Sequence, residues 1–290
     1  MAGKLVVCGV GLIGGSFALA IKSALAGRQC PRIVGMGRTR APLEQALRLG
    51  VIDEIATDRE SALQGADLVL LGMPVGQMPA VMQALVPHLE PQTIVTDGGS
   101  TKSDVVAAAR AAFGNRIGQF IPGHPIAGAE KSGVAAAKAD LYVGKRVVLT
   151  PLPENRQEDL QALRTVWEIC GAKVSELSPV EHDRVFAAVS HLPHLLAFAL
   201  VHDLAERDNA DQLFGFAASG FRDFTRIASS HPEMWRDICI ANRNALLKEV
   251  DAFMMELLKT RVLLASADSA GLETMFATAR ARRDAWLETL

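Results

Sequence analysis

A chain of 290 residues, 49% of them hydrophobic, carries enough apolar side chain to bury a substantial core, which excludes a disordered protein. Its formal charge of -2, with acids and bases interspersed, gives no long-range field for nucleic acid or an anionic membrane and favours small-molecule partners. The four cysteines, Cys8, Cys30, Cys170 and Cys239, stand far apart without metal-ligand spacing and are expected as buried thiols in a reducing compartment.

Lys4 precedes an uncharged stretch over 5–21 that imitates an export signal. Gly9, Gly11, Gly14 and Gly15 would weaken an apolar export helix and suit a strand, a turn and a helix instead, so a cytoplasmic protein is expected. Strands are predicted at 4–7, 32–35, 68–71, 93–96, 118–121 and 146–149, with helices at 14–26, 41–49, 78–89 and 102–112 among them. A helix at 154–170 and a short strand at 173–177 complete this half. The alternation is that of right-handed βαβ units building one parallel sheet. After Ser178 the β-branched runs vanish, and amphipathic helical patterns continue to Leu290, with helix starts at Pro179 and Pro232 and turns at Gly220 and Gly271. Beyond the N-terminus, no stretch is expected to reach the roughly 18 apolar residues of a membrane span. The predicted architecture is therefore α/β: a Rossmann-type parallel-sheet domain over 1–178, then an all-helical domain over 179–290, with a ligand cleft between them.

Directly after the first strand comes Gly9-Val10-Gly11-Leu12-Ile13-Gly14, followed by a helix. In that context Gly9 permits the tight turn, Gly11 admits a pyrophosphate to the backbone, and Gly14 lets the helix pack on the strand. Gly9, Gly11, Leu12, Ile13 and Gly14 are thus the candidate dinucleotide-binding residues, joined by Met73 and Pro74 from the loop after the third long strand. An NAD site normally ends its second strand in a carboxylate for the ribose hydroxyls. No Asp or Glu occurs between Gly15 and Leu43, and Arg38, Thr39 and Arg40 stand there instead. They are candidates for holding a 2′-phosphate, so NADP is expected over NAD; a solvated arginine loop is the other reading.

Two further loops follow strand ends, where open α/β sheets place ligands: 97–102 and 122–128. His124 is the one strong acid-base group in them, with Ser100 a candidate partner, and it is either the base for a substrate hydroxyl losing hydride or a histidine fixed between prolines for turn geometry.

The motifs GVGLIGGS, DGGSTK, GHPIAGAEKSG, VSHLPHLLAFAL and GFRDFTRIASSHPEMW, in this order along nearly the whole chain, resemble the prephenate and arogenate dehydrogenase family. The resemblance implies an NAD(P)-dependent oxidative decarboxylation on the route to tyrosine. It implies that His124 is the catalytic histidine, that Ser100 orients it, that Arg226 grips a substrate carboxylate and that His194 is a second histidine of the site. Glu130, Lys131 and Asp223 fall where the family gates or lines its pocket, and Trp235 closes a wall. Ala129 stands where many relatives carry Thr, which leaves the choice between a keto-acid and an amino-acid substrate open. A homodimer through the C-terminal helices is also implied, in keeping with apolar residues on several faces over 192–204 and 246–264.

Blander assignments cover the remaining features. His191 and His194 lack a third ligand, so no metal is expected, and one of the pair is a satisfied buried histidine. Glu181, His182 and Asp183 read as a helix cap and solvated surface, and Arg280, Arg282 and Arg283 as an exposed helix face. Two other functions fit the general plan. A β-hydroxyacid or imine-type dehydrogenase would need an interdomain lysine pattern that is missing here, and a non-catalytic dinucleotide sensor would need neither His124 nor Arg226.

Overall fold

Strand β1 (Lys4–Cys8) sends Leu5 and Val7 into one buried apolar cluster and Val6 and Cys8 into another, because successive strand residues face opposite sides. The computed structural model, which describes residues 3–129 and 131–289, builds a two-faced sheet around this strand. In parallel register, β2 (Arg32–Met36) and β4 (Leu68–Leu71) flank it, with Val6 opposite both Val34 and Val69. Adding β3 (Glu54–Ile55), β5 (Ile94–Asp97) and β6 (Phe120–Ile121) gives six parallel strands in the order β3-β2-β1-β4-β5-β6, the doubly wound arrangement whose ligands sit at the carboxyl edge.

The first helices are α1 (Leu12–Ala24), α2 (Arg40–Arg48), α3 (Arg59–Leu63), α4 (Met78–Leu85), α5 (Ser103–Phe113) and α6 (Gln157–Ile169). Phe17 of α1 meets the fully buried Trp167 of α6 at 4.5 Å between ring centroids, and the Tyr142 hydroxyl donates to the Ile13 carbonyl at 2.6 Å. Truncating Trp167 to Ala would cost about 3–5 kcal/mol by emptying this junction. On the other face, Met78 and Met82 of α4 and Phe113 of α5 fill the second cluster.

The segment 122–128, expected as a loop, contains a strand. The expected single parallel sheet breaks at Pro122, and β7 (Gly123–Pro125) leaves it to run antiparallel to β8 (Arg146–Leu149), which pairs in parallel with β9 (Lys173–Glu176). Proline has no N–H with which to continue a ladder. Its carbonyl instead receives the Thr150 N–H at 2.9 Å, and the switch of sheets carries His124 beyond the edge of β5 and β6.

The remaining chain is helical: α7 (Pro179–Phe186), a π-helical turn (Ala187–His191), α8 (Leu192–Ala205), α9 (Ala210–Gly215), α10 (Ser219–Thr225), α11 (Pro232–Ala241), α12 (Arg243–Ala265) and α13 (Ser269–Leu287). Helices start at Pro179 and Pro232 as predicted. Gly220 and Gly271 do not mark turns, since they lie inside α10 and α13. The second bend falls instead at Ala267, with φ of 51°, and at Asp268, whose carboxylate caps α13 by accepting from the Gly271 N–H at 2.8 Å. Cys30 is exposed rather than buried, while Cys8 and Cys170 are buried as expected. Among the described residues, Pro179–Ala205 forms one helix long and apolar enough to cross a membrane by length and composition. The sequence expectation missed it because the run is broken by histidines and a proline rather than by formal charges.

Packing groups the chain into two compact units, Met1–Arg243 and Asn244–Leu290. Helices α7 to α11 join the sheet-bearing unit, and the carboxylate of Asp183 on α7 accepts the backbone N–H groups of Lys102 and Ser103 at 2.8 and 2.7 Å. The second unit, Asn244–Leu290, consists of most of α12 and of α13, and it exposes Leu247, Met254, Leu258, Val262, Phe276 and Trp286.

Candidate active site

The turn after β1 has the shape its glycines predict. Gly9 has φ of +91°, and a Cβ on Gly14 would lie 2.3 Å from the Gly9 carbonyl oxygen. A Cβ on Gly11 would meet nothing within 4 Å, and no side chain caps the first turn of α1. The helix N-terminus with Leu12 and Ile13 thus faces open space, which fits a pyrophosphate. A cavity of about 450 Å³ continues from there, lined by Gly9, Gly37, Arg38, Arg59, Met73 and Val81 among others. Met73 is on its wall as expected, with Pro74 following it into the short helical turn Val75–Gln77. Thr39 and Arg40 are not on the wall. Arg40 donates from Nε to Glu44 at 2.8 Å along α2, because a residue at a helix start meets its i+4 neighbour first.

His124, on β7, is held at the backbone by a buried ion pair. Asp97 accepts the Gly123 N–H at 3.0 Å and the Gly99 N–H at 2.8 Å, and it pairs with Lys102, whose ammonium also donates to the Gly123 carbonyl at 2.9 Å. Both charged side chains are fully inaccessible, an arrangement tolerated only when, as here, their lone pairs and protons are taken up. The DGG-STK and GHP segments are thereby fastened to one another.

The His124 imidazole is ordered by a chain of hydrogen bonds. His124 Nδ1 meets His182 Nε2 at 2.8 Å, and His182 Nδ1 meets Asp183 Oδ1 at 2.9 Å. Since the carboxylate only accepts, His182 carries its proton on Nδ1 and accepts at Nε2; His124 then carries its proton on Nδ1, leaving Nε2 with a bare lone pair. Burial holds the His124 pKa well below the usual imidazole range, with the charges of His182, Lys102 and His191 acting in the same direction. Burial also lowers His182, against the opposing bond to Asp183, so both rings are neutral at pH 7. Burial works to raise Asp183, but its bonds from His182, Ser103 and Lys102 prevail and keep it low, hence ionised.

These positions correct the sequence assignment of Glu181, His182 and Asp183. Glu181 is at the surface, paired with Arg184, but His182 is completely inaccessible and Asp183 nearly so. The signal was present: His182 precedes Phe186 by one helical turn, so it shares the buried face, and the two rings lie 4.5 Å apart. Ser100, expected to orient His124, makes no side-chain hydrogen bond among the described residues, and His124 Nδ1 is engaged by His182.

A second cluster stands beside the first. His194 stacks on Trp235 at 3.6 Å between centroids, and its Nδ1 donates to the Ser190 carbonyl at 2.9 Å. Burial is the main cause of its lowered pKa, and the charge of Arg226 lowers it further, which places that guanidinium near the ring. His191 is the satisfied buried histidine: Nδ1 receives Asn242 Nδ2 at 3.1 Å, and Asn242 also donates to the Asp183 carbonyl at 2.8 Å. Asp223 is exposed, 3.7 Å from Arg222, and Lys131 is exposed as well. Glu130 lies outside the described residues. Among those residues no group of three or more His, Cys, Asp or Glu is arranged to hold a metal.

A dinucleotide turn beside a neutral, oriented imidazole at the carboxyl edge of a doubly wound sheet defines an NAD(P)-dependent dehydrogenase. Two family models bear on which kind: the prephenate dehydrogenase nucleotide-binding domain matches residues 17–176, and the prephenate dehydrogenase dimerization domain matches 178–278. The chain belongs to the prephenate dehydrogenase family. It is 40% identical over 286 residues to a prephenate dehydrogenase of Bacillus subtilis, covering 98% of this chain and 76% of that one. A cyclohexadienyl dehydrogenase of Zymomonas mobilis is 34% identical over 91% of this chain and 89% of its own length. Among solved structures, a prephenate dehydrogenase of Aquifex aeolicus in complex with hydroxyphenyl propionate and NAD+ superposes with a TM-score of 0.90 at 36% identity, covering 98% of each chain. An arogenate dehydrogenase of Synechocystis gives 0.82 at 31% identity, covering 98% of this chain and 99% of that one.

Proposed function

We propose that this protein oxidises and decarboxylates prephenate, arogenate or both, in tyrosine biosynthesis, with His124 as the base. The observation that carries the reading is the bare Nε2 of His124, created by the fixed proton order from Asp183 through His182. A dinucleotide held by the Gly9–Gly14 turn and the adjoining cavity would supply a hydride acceptor for C4 of the cyclohexadienol ring. His124 Nε2 takes the proton of the C4 hydroxyl as that carbon becomes a carbonyl carbon, and the imidazolium so formed is stabilised through His182 by the Asp183 carboxylate. Loss of the ring carboxylate as CO₂ then aromatises the product and requires no further base. Ser100, whose hydroxyl makes no hydrogen bond among the described residues, is assigned to the same C4 oxygen. Arg226 holds a substrate carboxylate beside His194, with its planar fork, and Trp235 fixes the His194 ring from below. Asp223 is assigned to the pocket entrance.

Three finer points belong to the same proposal. NADP is preferred to NAD, supported by Arg38 on the cavity wall and by the absence of any carboxylate at the end of β2. The protein is a homodimer through its C-terminal helices, supported by the dimerization-domain match and the exposed apolar residues of α12 and α13. It works in the cytoplasm, as befits a biosynthetic enzyme drawing on soluble cofactor pools. The deciding experiment incubates the protein with each substrate and each cofactor and records the absorbance of reduced nicotinamide. Turnover that disappears in His124→Asn is expected; no turnover with either substrate would defeat the reading.

A further inference from the structure

The cavity beside the glycine turn contains a residue that the sequence motifs do not single out. Arg59, the first residue of α3, lines it together with Arg38 from the end of β2. The two guanidinium groups come from segments that only the pairing of β2 with β3 brings together, Val34 lying opposite Glu54 and Gly35 opposite Ile55. Neither makes a hydrogen bond or ion pair with any described residue. Nearby arginines are otherwise engaged: Arg32 pairs with Glu54 and Arg40 with Glu44. The acids next to Arg59 do not neutralise it, since Asp58 is committed to the Ser61 N–H at 2.8 Å and Glu60 is not on the cavity wall. The Arg59 charge reaches Cys8 at the end of β1, where it opposes the burial that pushes the thiol up to about 12.

We infer that Arg38 and Arg59 together form the cradle for the 2′-phosphate of NADP, with Arg59 in the place the motif suggested for Arg40. Two like charges on one cavity repel, and the arrangement is favourable only when a multiply charged anion sits between them. A phosphate monoester suits this geometry, since each planar fork can give it two parallel bonds. The same cavity is also lined by small apolar residues of α4, Ala80, Val81 and Ala84, which suit the flat face of adenine. An unphosphorylated ribose would present hydroxyls to a wall that offers two cations and no carboxylate. The inference rests on the NADP preference proposed above and adds to it the residue that enforces the preference.

Calorimetric titration of the cofactor-free protein with 2′,5′-ADP and with 5′-AMP tests it without turnover. Wild type is expected to bind 2′,5′-ADP tighter by on the order of tenfold or more, and Arg59→Gln is expected to bring the ratio towards one, as is Arg38→Gln. Arg59→Lys, keeping the charge without the fork, should fall between, and unchanged thermal midpoints show that the variants fold. If wild type shows the preference and Arg59→Gln keeps it, Arg59 is not part of the cradle. If Arg59→Gln weakens both ligands equally, the side chain stacks on adenine and the inference is likewise overturned. If wild type has no preference for 2′,5′-ADP, the NADP reading itself fails, and the inference with it.

Discussion

The basic nitrogen of His124 is chosen by one carboxylate and the two ring protons that it orders in turn. Because Asp183 is fixed as an acceptor by the Lys102 and Ser103 N–H groups, the tautomers of His182 and His124 follow in turn. Replacing Asp183 by Asn keeps an oxygen for His182 and the Lys102 N–H, but it sets an NH2 group against the Ser103 N–H and removes the negative charge that stabilises an imidazolium at His124 through His182. Asp183→Asn should therefore lower kcat by about 10²–10⁴ while moving KM little. A variant within twofold of wild type in kcat would remove His182 and Asp183 from the mechanism. None of this is visible in the motif GHPIAG, because the partner of His124 comes from a residue 58 positions away.

At the scale of elements, the glycine turn separates two roles that sequence alone assigns together. Gly14 is required by the protein itself, since an added Cβ would strike the Gly9 carbonyl oxygen and the Val7 side chain. Gly11 is required by nothing in the protein, and its open side is where a phosphate fits. Gly14→Ala should lower stability by about 1–3 kcal/mol, read from the urea midpoint, whereas Gly11→Ala should leave the midpoint in place and weaken dinucleotide binding in a fluorescence titration. Equal destabilisation of both variants would contradict this division. The π-helical turn Ala187–His191 is another element with a local cause. Pro193 lacks the N–H that would serve Val189, and the Ser190 carbonyl is met by the His194 ring instead, which sets that ring against Trp235.

For the whole molecule, burying so many imidazoles makes stability depend on pH. Burial lowers His191 from 6.5 to about 4, so between those values the unfolded chain binds a proton that the folded one refuses. The stabilisation from this group is complete above about pH 6.5 and is lost as pH falls towards 4, a swing on the order of 3 kcal/mol. His124 and His194 are lowered in the same sense, mainly by burial, as is His182 against its bond to Asp183, and the depressed Asp183 adds to acid lability. Urea midpoints at pH 7 and pH 4.5 should differ less in His191→Gln than in wild type; an equal difference would show that His191 does not contribute. The exposed apolar residues of α12 and α13 carry a separate prediction about assembly. Light scattering at micromolar concentration should report a dimer, and Leu258→Asp with Val262→Asp should shift it towards monomer. A wild-type monomer would end the proposal.

The sequence by itself determined the strand, turn and helix of the dinucleotide site, the order of the elements and the identity of His124, His194 and Arg226 as candidates. The turn, the element order and His124 depend on local periodicity and on residue types at fixed spacing, whereas His194 and Arg226 are implied by the motifs' resemblance to a known family; a linear pattern carries both. The tertiary structure alone decided what long-range pairing brings together. It moved His124 to a second sheet at Pro122, buried His182 and Asp183 behind it and brought Arg59 into the cavity that Arg38 lines. A hydrogen-bond partner far away in the chain leaves no local signal, because its choice is fixed only when sheet register and helix packing fix the distance.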